Sequence, residues 1–209
     1  MLSSHFFSGF RTRQIFNTCF ILVTMIRKAT SGDSETIAVY LLLAMEDIVY
    51  KFLGCDDYQQ ALEFMRYFVS NENNQYSYQN CWVTEEAGSI IAAVNLYDGA
   101  RLRELREPVI QYVRKHFNKD FNPEDETQPG EYYIDTLGVS PGMQGKGVGS
   151  QLLKFLIDEY VFRQKCTLGL LVDEDNPGAK KLYLRLGFKV VGRKFLAGKP
   201  MEHLQYIAD

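Results

Sequence analysis

The chain has 209 residues, which fits one domain with a full core and would strain two. A formal charge of −3 argues against a nucleic-acid binder, which would carry a basic stripe, and suits a cationic amine as partner. With 46% apolar and 23% charged residues the composition is that of an ordinary globular protein, not of a membrane protein. Cys19, Cys55, Cys81 and Cys166 show no Cys-x-x-Cys or Cys/His pairing, so no metal site is expected. They read as buried free thiols of a reducing, cytoplasmic compartment.

Residues 1–24 form an extension with Arg11 and Arg13, no acid, and an apolar run too short to span a bilayer. We read it as translated from an earlier start codon; the alternative is an organellar transit peptide. The domain then occupies 25–209, beginning with a strand at Ile26–Ala29. A helix is expected over Ser34–Phe52, capped by Asp33 or Ser31, with Ile37, Leu41, Met45, Ile48 and Phe52 inward and Gly54 at its end. A second runs over Asp57–Val69 with Tyr58, Leu62, Met65 and Val69 inward, followed by a polar loop at Glu72–Ser77. Strands Asn80–Thr84 and Ser89–Tyr97 flank a hairpin turn at Glu85–Gly88.

An insertion at 98–130 follows, far longer than a hairpin needs. Leu102, Leu105, Val109, Val113 and Phe117 have near-helical spacing, and Pro108 is expected to open a second helix. Asp120–Thr127 reads as an acidic linker. A segment this long is usually functional or disordered, and a helical cap that shapes an acceptor pocket is our working reading beside a solvated decoration.

The strand Glu131–Ser140 runs into glycines at 142, 145, 147 and 149. Val148, Leu152, Leu153, Leu156 and Tyr160 then mark one face of a helix. Strand, glycine-rich turn and helix N-terminus together make an anion cradle, because the first-turn amides are unpaired and glycine lets a ligand approach the backbone. The nucleoside triphosphate loop fails here: Gly145-Lys146 is followed by Gly147, not by a hydroxyl residue. The dinucleotide fingerprint fails as well, since Ser150 or Leu152 stands where its last glycine is needed. Further on come a strand at Thr167–Val172, a short helix capped by Asn176 with Pro177 at its first position and Gly187 past its end, and a strand pair at Lys189–Phe195 and Met201–Ile207. Helices set among hairpins predict an α/β protein with a mixed sheet.

The loop Gln144-x-x-Gly147-x-Gly149 resembles the [RQ]-x-x-G-x-[GA] loop of the GCN5-related N-acetyltransferase (GNAT) superfamily. The segment Asn176–Phe188 matches that family's N-x-x-A-x-x-x-Y-x-x-x-G-F at every fixed position, through Ala179, Tyr183 and Gly187. The resemblance covers about Met25 to Ile207. It implies a central, mostly antiparallel sheet flanked by helices, with the helical insertion between strands three and four. It implies acetyl-CoA as donor substrate, no metal, and an amine acceptor, either a small molecule or a protein amine; a homodimer is left open. Gln144, Gly145, Lys146, Gly147, Val148, Gly149 and Ser150 would hold the pyrophosphate. Leu137, Gly138 and Val139 would offer backbone to the acetyl group and pantetheine arm, and Asn176 would complete the cofactor site. Tyr183 stands at the family's general-acid position. Asp135 is our choice of base, through water or directly, with anchoring of the strand kink as its other reading. It and Glu131 share strand parity with Leu137 and Val139 and should face the same side. Leu171 departs from relatives that carry an acid there. His5, His116 and His203 are isolated and read as non-catalytic. The expected activity is N-acetyl transfer to a primary amine by direct attack in a ternary complex. A non-turnover acetyl-CoA sensor, transfer of another acyl group, and O-acylation are the alternatives.

Overall fold

The computed structural model describes residues 24–208, so the readings made for residues 1–23, His5 and Cys19 lie outside the described residues. The described elements run β1 (Thr24–Lys28), α1 (Ser34–Leu53), α2 (Tyr58–Ser70), β2 (Cys81–Glu86), β3 (Ser89–Asp98), α3 (Leu102–His116), β4 (Tyr132–Val139), α4 (Val148–Leu156), β5 (Leu168–Asp173), α5 (Pro177–Leu186), β6 (Lys189–Leu196) and β7 (Lys199–Tyr206). The strands form one seven-stranded sheet in the order β1-β2-β3-β4-β5-β7-β6. Every pairing is antiparallel except β4 with β5, which gives the mixed, mostly antiparallel sheet that the sequence led us to expect.

Two apolar clusters hold helices to opposite faces. Ile37, Leu41, Val49, Phe64, Phe68 and Val113 pack α1, α2 and α3 against one face. Val148, Leu152, Leu153, Leu156 and Tyr160 bring α4, and the π-helical Ile157–Arg163 that continues it, to the other. Gly138 fixes how closely α1 crosses β4, because a Cβ there would run into the Tyr40 carbonyl. Tyr40 also ties α1 to β3 through its side-chain hydroxyl, which donates to the Ile90 carbonyl at 2.9 Å.

Several local expectations change. Met45 breaks α1 with φ −134° and ψ 24°, so the inward stripe shifts and Val49 is buried where Ile48 was expected. Asp33 precedes α1 but does not cap it through its side chain; its carboxylate accepts from Arg27 and from the Thr30 amide. Asp57 does cap α2, and Tyr58, expected inward, is exposed. The loop after α2 is polar yet buried at Asn74, Gln75 and Ser77. Pro108 lies inside a single helix α3 and opens no new one. The carbonyl it leaves without a helical donor belongs to exposed Glu104, where water can reach it, while Leu102, Leu105, Val109 and Val113 are buried and hold the helix in place. The acidic linker ends inside the protein, with Glu126 and Thr127 buried. Of the described cysteines only Cys81 is buried; Cys55 and Cys166 are half-buried.

Gly138→Ala should lower stability by about 1–3 kcal/mol, as overpacking of a tight crossing does. An unchanged urea midpoint would contradict the close contact between α1 and β4.

Candidate active site

Pairing between β4 and β5 covers only Tyr132 with Leu168, Tyr133 with Gly169 and Ile134 with Leu170. Beyond Ile134 the two strands part: β4 continues along β3 to Val139, and β5 continues along β7 to Asp173. A cavity of about 820 Å³ opens there, lined from β4 by Asp135 and Leu137, from β5 by Leu171 and Asp173, and from α5 by Asn176 and Tyr183.

The glycine loop lies at the far end of β4. Gly145 and Gly147 adopt φ values of 74° and 85°, left-handed conformations that favour glycine, with open space on the side where a Cβ would stand. Gly147 is the residue before α4, and the first helical bond recorded there runs from the Gln151 amide to its carbonyl. The first-turn amides of Val148, Gly149 and Ser150 therefore precede any helical acceptor and can bind an anion. Gly149 lets the loop pack on β4, with its Cβ position 3.4 Å from Leu137 and 3.5 Å from Val139. Two of the expected contacts already have structural duties. Gln144 Nε2 donates to the Val139 carbonyl at 3.2 Å, and Asn176 Oδ1 accepts from the Ala179 amide at 3.0 Å as the cap of α5. Val148 is buried, so only its backbone faces a ligand, and Lys146 is exposed beside the loop.

Leu137, Asp135, Asn176 and Tyr183 thus share one cavity, whereas Gly138, Val139 and Gln144–Ser150 line none of it. Tyr183 packs edge-on against Phe188, and its hydroxyl has no hydrogen-bond partner among the described residues. Burial pushes its phenol above the usual range, so it stays protonated and can donate.

The expected parity of β4 does not hold. Asn95 pairs with Thr136 but Leu96 pairs with Ile134, so Asp135 is the extra residue of a β-bulge. The bulge turns Asp135 to the α1–α3 face, where Oδ2 accepts from Tyr97 Oη at 2.9 Å and from Gln75 Nε2 at 2.8 Å. Leu137 and Val139 pack toward the opposite face, with α4. Glu131 does not face with them either. It is buried beneath the sheet, accepting from Gln205 Nε2 at 2.7 Å and Thr127 Oγ1 at 2.7 Å and lying 2.9 Å from His203 Nε2. His203 is thus a buried partner of Glu131, and His116 is exposed against the Tyr112 ring.

One cavity group was not singled out from the sequence. Glu126, near the end of the insertion, is buried; its Oε1 accepts from Arg106 Nη2 (2.6 Å) and Gln75 Nε2 (2.6 Å) and lies 3.1 Å from Tyr97 Oη. Burial, and then the nearby Asp135 carboxylate, raise it to about 7 against the opposing pull of Arg106. Its only sequence signal was membership in an acidic run, which ordinarily marks a solvated surface.

A match to the acetyltransferase (GNAT) family model spans residues 46–188. The chain belongs to the GNAT family. The GNAT fold is also seen in a solved acetyltransferase, 32% identical, with a TM-score of 0.72 over 88% of this chain and 100% of that one. An N-acetyltransferase structure from Staphylococcus aureus Mu50 superposes with a TM-score of 0.75 at 21% identity, over 87% of this chain and 100% of that one. Over 66 residues the chain is 42% identical to the N-alpha-acetyltransferase RimI of Mycobacterium tuberculosis, 32% of this chain and 40% of that protein. Over 70 residues it is 33% identical to the spermine/spermidine N(1)-acetyltransferase of Bacillus subtilis, 33% of this chain and 46% of that protein. The match thus spans less than half the length of these curated relatives.

A carboxyl raised in the folded state stabilises the fold below its ordinary 4.5 and loses that contribution as pH rises through about 7. Wild type should therefore lose stability relative to Glu126→Gln between those two pH values. Paired urea titrations check this, and a difference that is flat or of opposite slope would contradict the burial of a titrating Glu126.

Proposed function

We propose that this GNAT protein is an N-acetyltransferase that moves the acetyl group of acetyl-CoA to a primary amine by direct attack in a ternary complex. The observation that carries the reading is a Tyr183 hydroxyl without a hydrogen-bond partner among the described residues, in the same cavity as Asp135, where β4 and β5 part. The loop Gln144–Ser150, through backbone amides at glycine-permitted angles, would take the pyrophosphate. The strand end Leu137–Val139, which β5 leaves unpaired, would offer backbone to the pantetheine arm and acetyl group. Asn176, whose amide nitrogen is not used in capping, would meet the donor from the α5 side of the cavity.

The acceptor must arrive as a neutral amine. The cavity supports a cationic precursor: Glu46, Asp47, Glu126, Asp135, Asp173 and Asp175 line it, and among the described residues Lys199 is the only basic side chain there. Lys199 itself is shared between Asp47 at 3.4 Å and Asp173 at 3.3 Å. That the relatives named above act on an N-terminal amine or a polyamine agrees with an amine acceptor. Asp135 would hold the ammonium and begin its deprotonation. When the C–S bond breaks, the departing sulfur takes the Tyr183 proton, and the phenol oxygen recovers one from the newly acylated nitrogen. The insertion 98–130 shapes the acceptor end by supplying Arg106 and Glu126.

Tyr183→Phe should lower kcat by about 10²–10⁴-fold, the usual worth of a positioned acid, with acetyl-CoA affinity little changed. Thiol release from acetyl-CoA over a panel of aliphatic amines and N-terminal peptides measures both. Undiminished turnover in the variant would remove Tyr183 from the mechanism, and absence of acetylation across the panel by wild type would remove the activity.

A further inference from the structure

The insertion places a second carboxylate, Glu126, beside Asp135 in the same cavity. Tyr97 Oη lies 2.9 Å from Asp135 Oδ2 and 3.1 Å from Glu126 Oε1. A phenol has one hydrogen, and an ionised carboxylate can only accept. Two full hydrogen bonds require that one of the two carboxyls keep a proton and donate it to the phenol oxygen. Gln75 cannot supply the missing hydrogen. Its Oε1 faces Arg106 Nε at 3.4 Å, and its two amide hydrogens already go to Glu126 and Asp135.

Resting on the amine-acceptor reading above, we propose that Asp135 and Glu126 form one proton-sharing pair bridged by Tyr97, and that this pair takes the proton of the acceptor ammonium. Asp135 touches the acceptor, while Glu126 and Tyr97 act through it as positioning residues.

Charge balance supports the arrangement. Arg106 supplies one positive charge to the two carboxylates, and it too is buried. One retained proton makes the cluster neutral, the favourable state out of water. An entering ammonium displaces that proton to solvent and keeps the cluster neutral, with both carboxylates ionised. The ammonium then gives its own proton to the pair, leaving a neutral amine beside a singly protonated pair. The N–H bond breaks, an O–H bond forms, and net charge inside the cavity is unchanged. After product leaves, the pair is again in its resting state. With a lone carboxylate beside Arg106 there would be no proton to displace, and the entering ammonium would leave the buried cavity with one uncompensated positive charge.

The raised position of Glu126, pushed up to about 7 by burial and the adjacent Asp135 carboxylate, agrees with a retained proton. The charged or titratable groups facing it are Arg106 from α3, Tyr76 from the loop before β2, Tyr97 from β3, and Tyr133 with Asp135 from β4. All three tyrosines are pushed well above their usual range by burial, so they stay neutral where the pair titrates. Asp125, which lies 3.4 Å from Arg106 Nη1, is exposed at the outer end of the cluster.

Two measurements on the full chain test the pair. Infrared difference spectroscopy of wild type should show one protonated carboxyl band at about pH 6 that disappears by about pH 8.5. Glu126→Gln should remove that band, and Tyr97→Phe, which keeps both acids and nearly the same volume, should move its midpoint. Absence of such a band, or a band unaltered in both variants, overturns the shared proton. In the kinetic arm, n-butylamine, 1,5-diaminopentane and an alanyl peptide are the acceptor probes. The acid limb of kcat/KM should move by about tenfold in proton concentration in Tyr97→Phe and in Glu126→Gln, with acetyl-CoA KM unchanged, and Glu126→Asp should restore it in part. An unmoved limb in folded variants overturns the role in deprotonation. If wild type acetylates none of the probes, the amine-acceptor reading fails with it, and the infrared arm still decides whether the proton is shared.

Discussion

The parting of β4 from β5 is the constraint on which the site depends. The sheet cannot continue its parallel ladder past Ile134, because β4 stays with β3 while β5 turns away with β7. The bulge at Asp135 falls at the same level, on the opposite edge of β4. One strand therefore loses a partner on one side and gains an extra residue on the other within a single turn of the pleat. The unpaired strand edge, the cavity and the aim of Asp135 all follow from this one irregularity. The crossover that a parallel pair requires is also put to use, since it carries the glycine loop and α4.

The insertion contributes differently. Its helix is held by apolar burial along Leu102, Leu105, Val109 and Val113, and its return segment by polar contacts. Thr127 donates to Glu131, and a Cβ on Gly99 would strike the Gln128 carbonyl, so both ends of the insertion are pinned together at the start of β4. Pinned in this way, the segment delivers Arg106 and Glu126 to a buried place that neither would occupy alone. Each charge offsets the desolvation of the other, and Gln75, itself on a buried loop, orients the acids by donating to both.

Local signals were read well where the residue itself dictates the backbone. Gly54 and Gly187 occupy the left-handed conformations expected just past the ends of their helices, and Asn176 caps α5 through its side chain. The amphipathic faces of α3 and α4 were legible because burial there follows a simple period. Tyr58 misled because a tyrosine at an apolar position can face water. Ile48 misled because a kink at Met45 rotates the stripe beyond it. Pro108 misled because a helix held by tertiary packing tolerates a lost hydrogen bond on its exposed side. The parity of β4 failed because alternation assumes an unbroken ladder, and a bulge inverts it.

By itself the sequence determined the strand–glycine loop–helix unit, the capped helix bearing Tyr183 and the mixed sheet, because each is written in residues whose backbone preferences are local. It also carried the family resemblance that the comparisons bear out. Tertiary structure alone decided which acids meet. Asp135 and Glu126 lie on different segments and are joined through Tyr97, Gln75 and Arg106, which come from three further segments. No spacing rule links these five residues, since their encounter depends on a bulge, a buried loop and a pinned insertion acting together. Burial then gives the cluster its chemistry: the same carboxylates on a solvated loop would be an acidic run and nothing more.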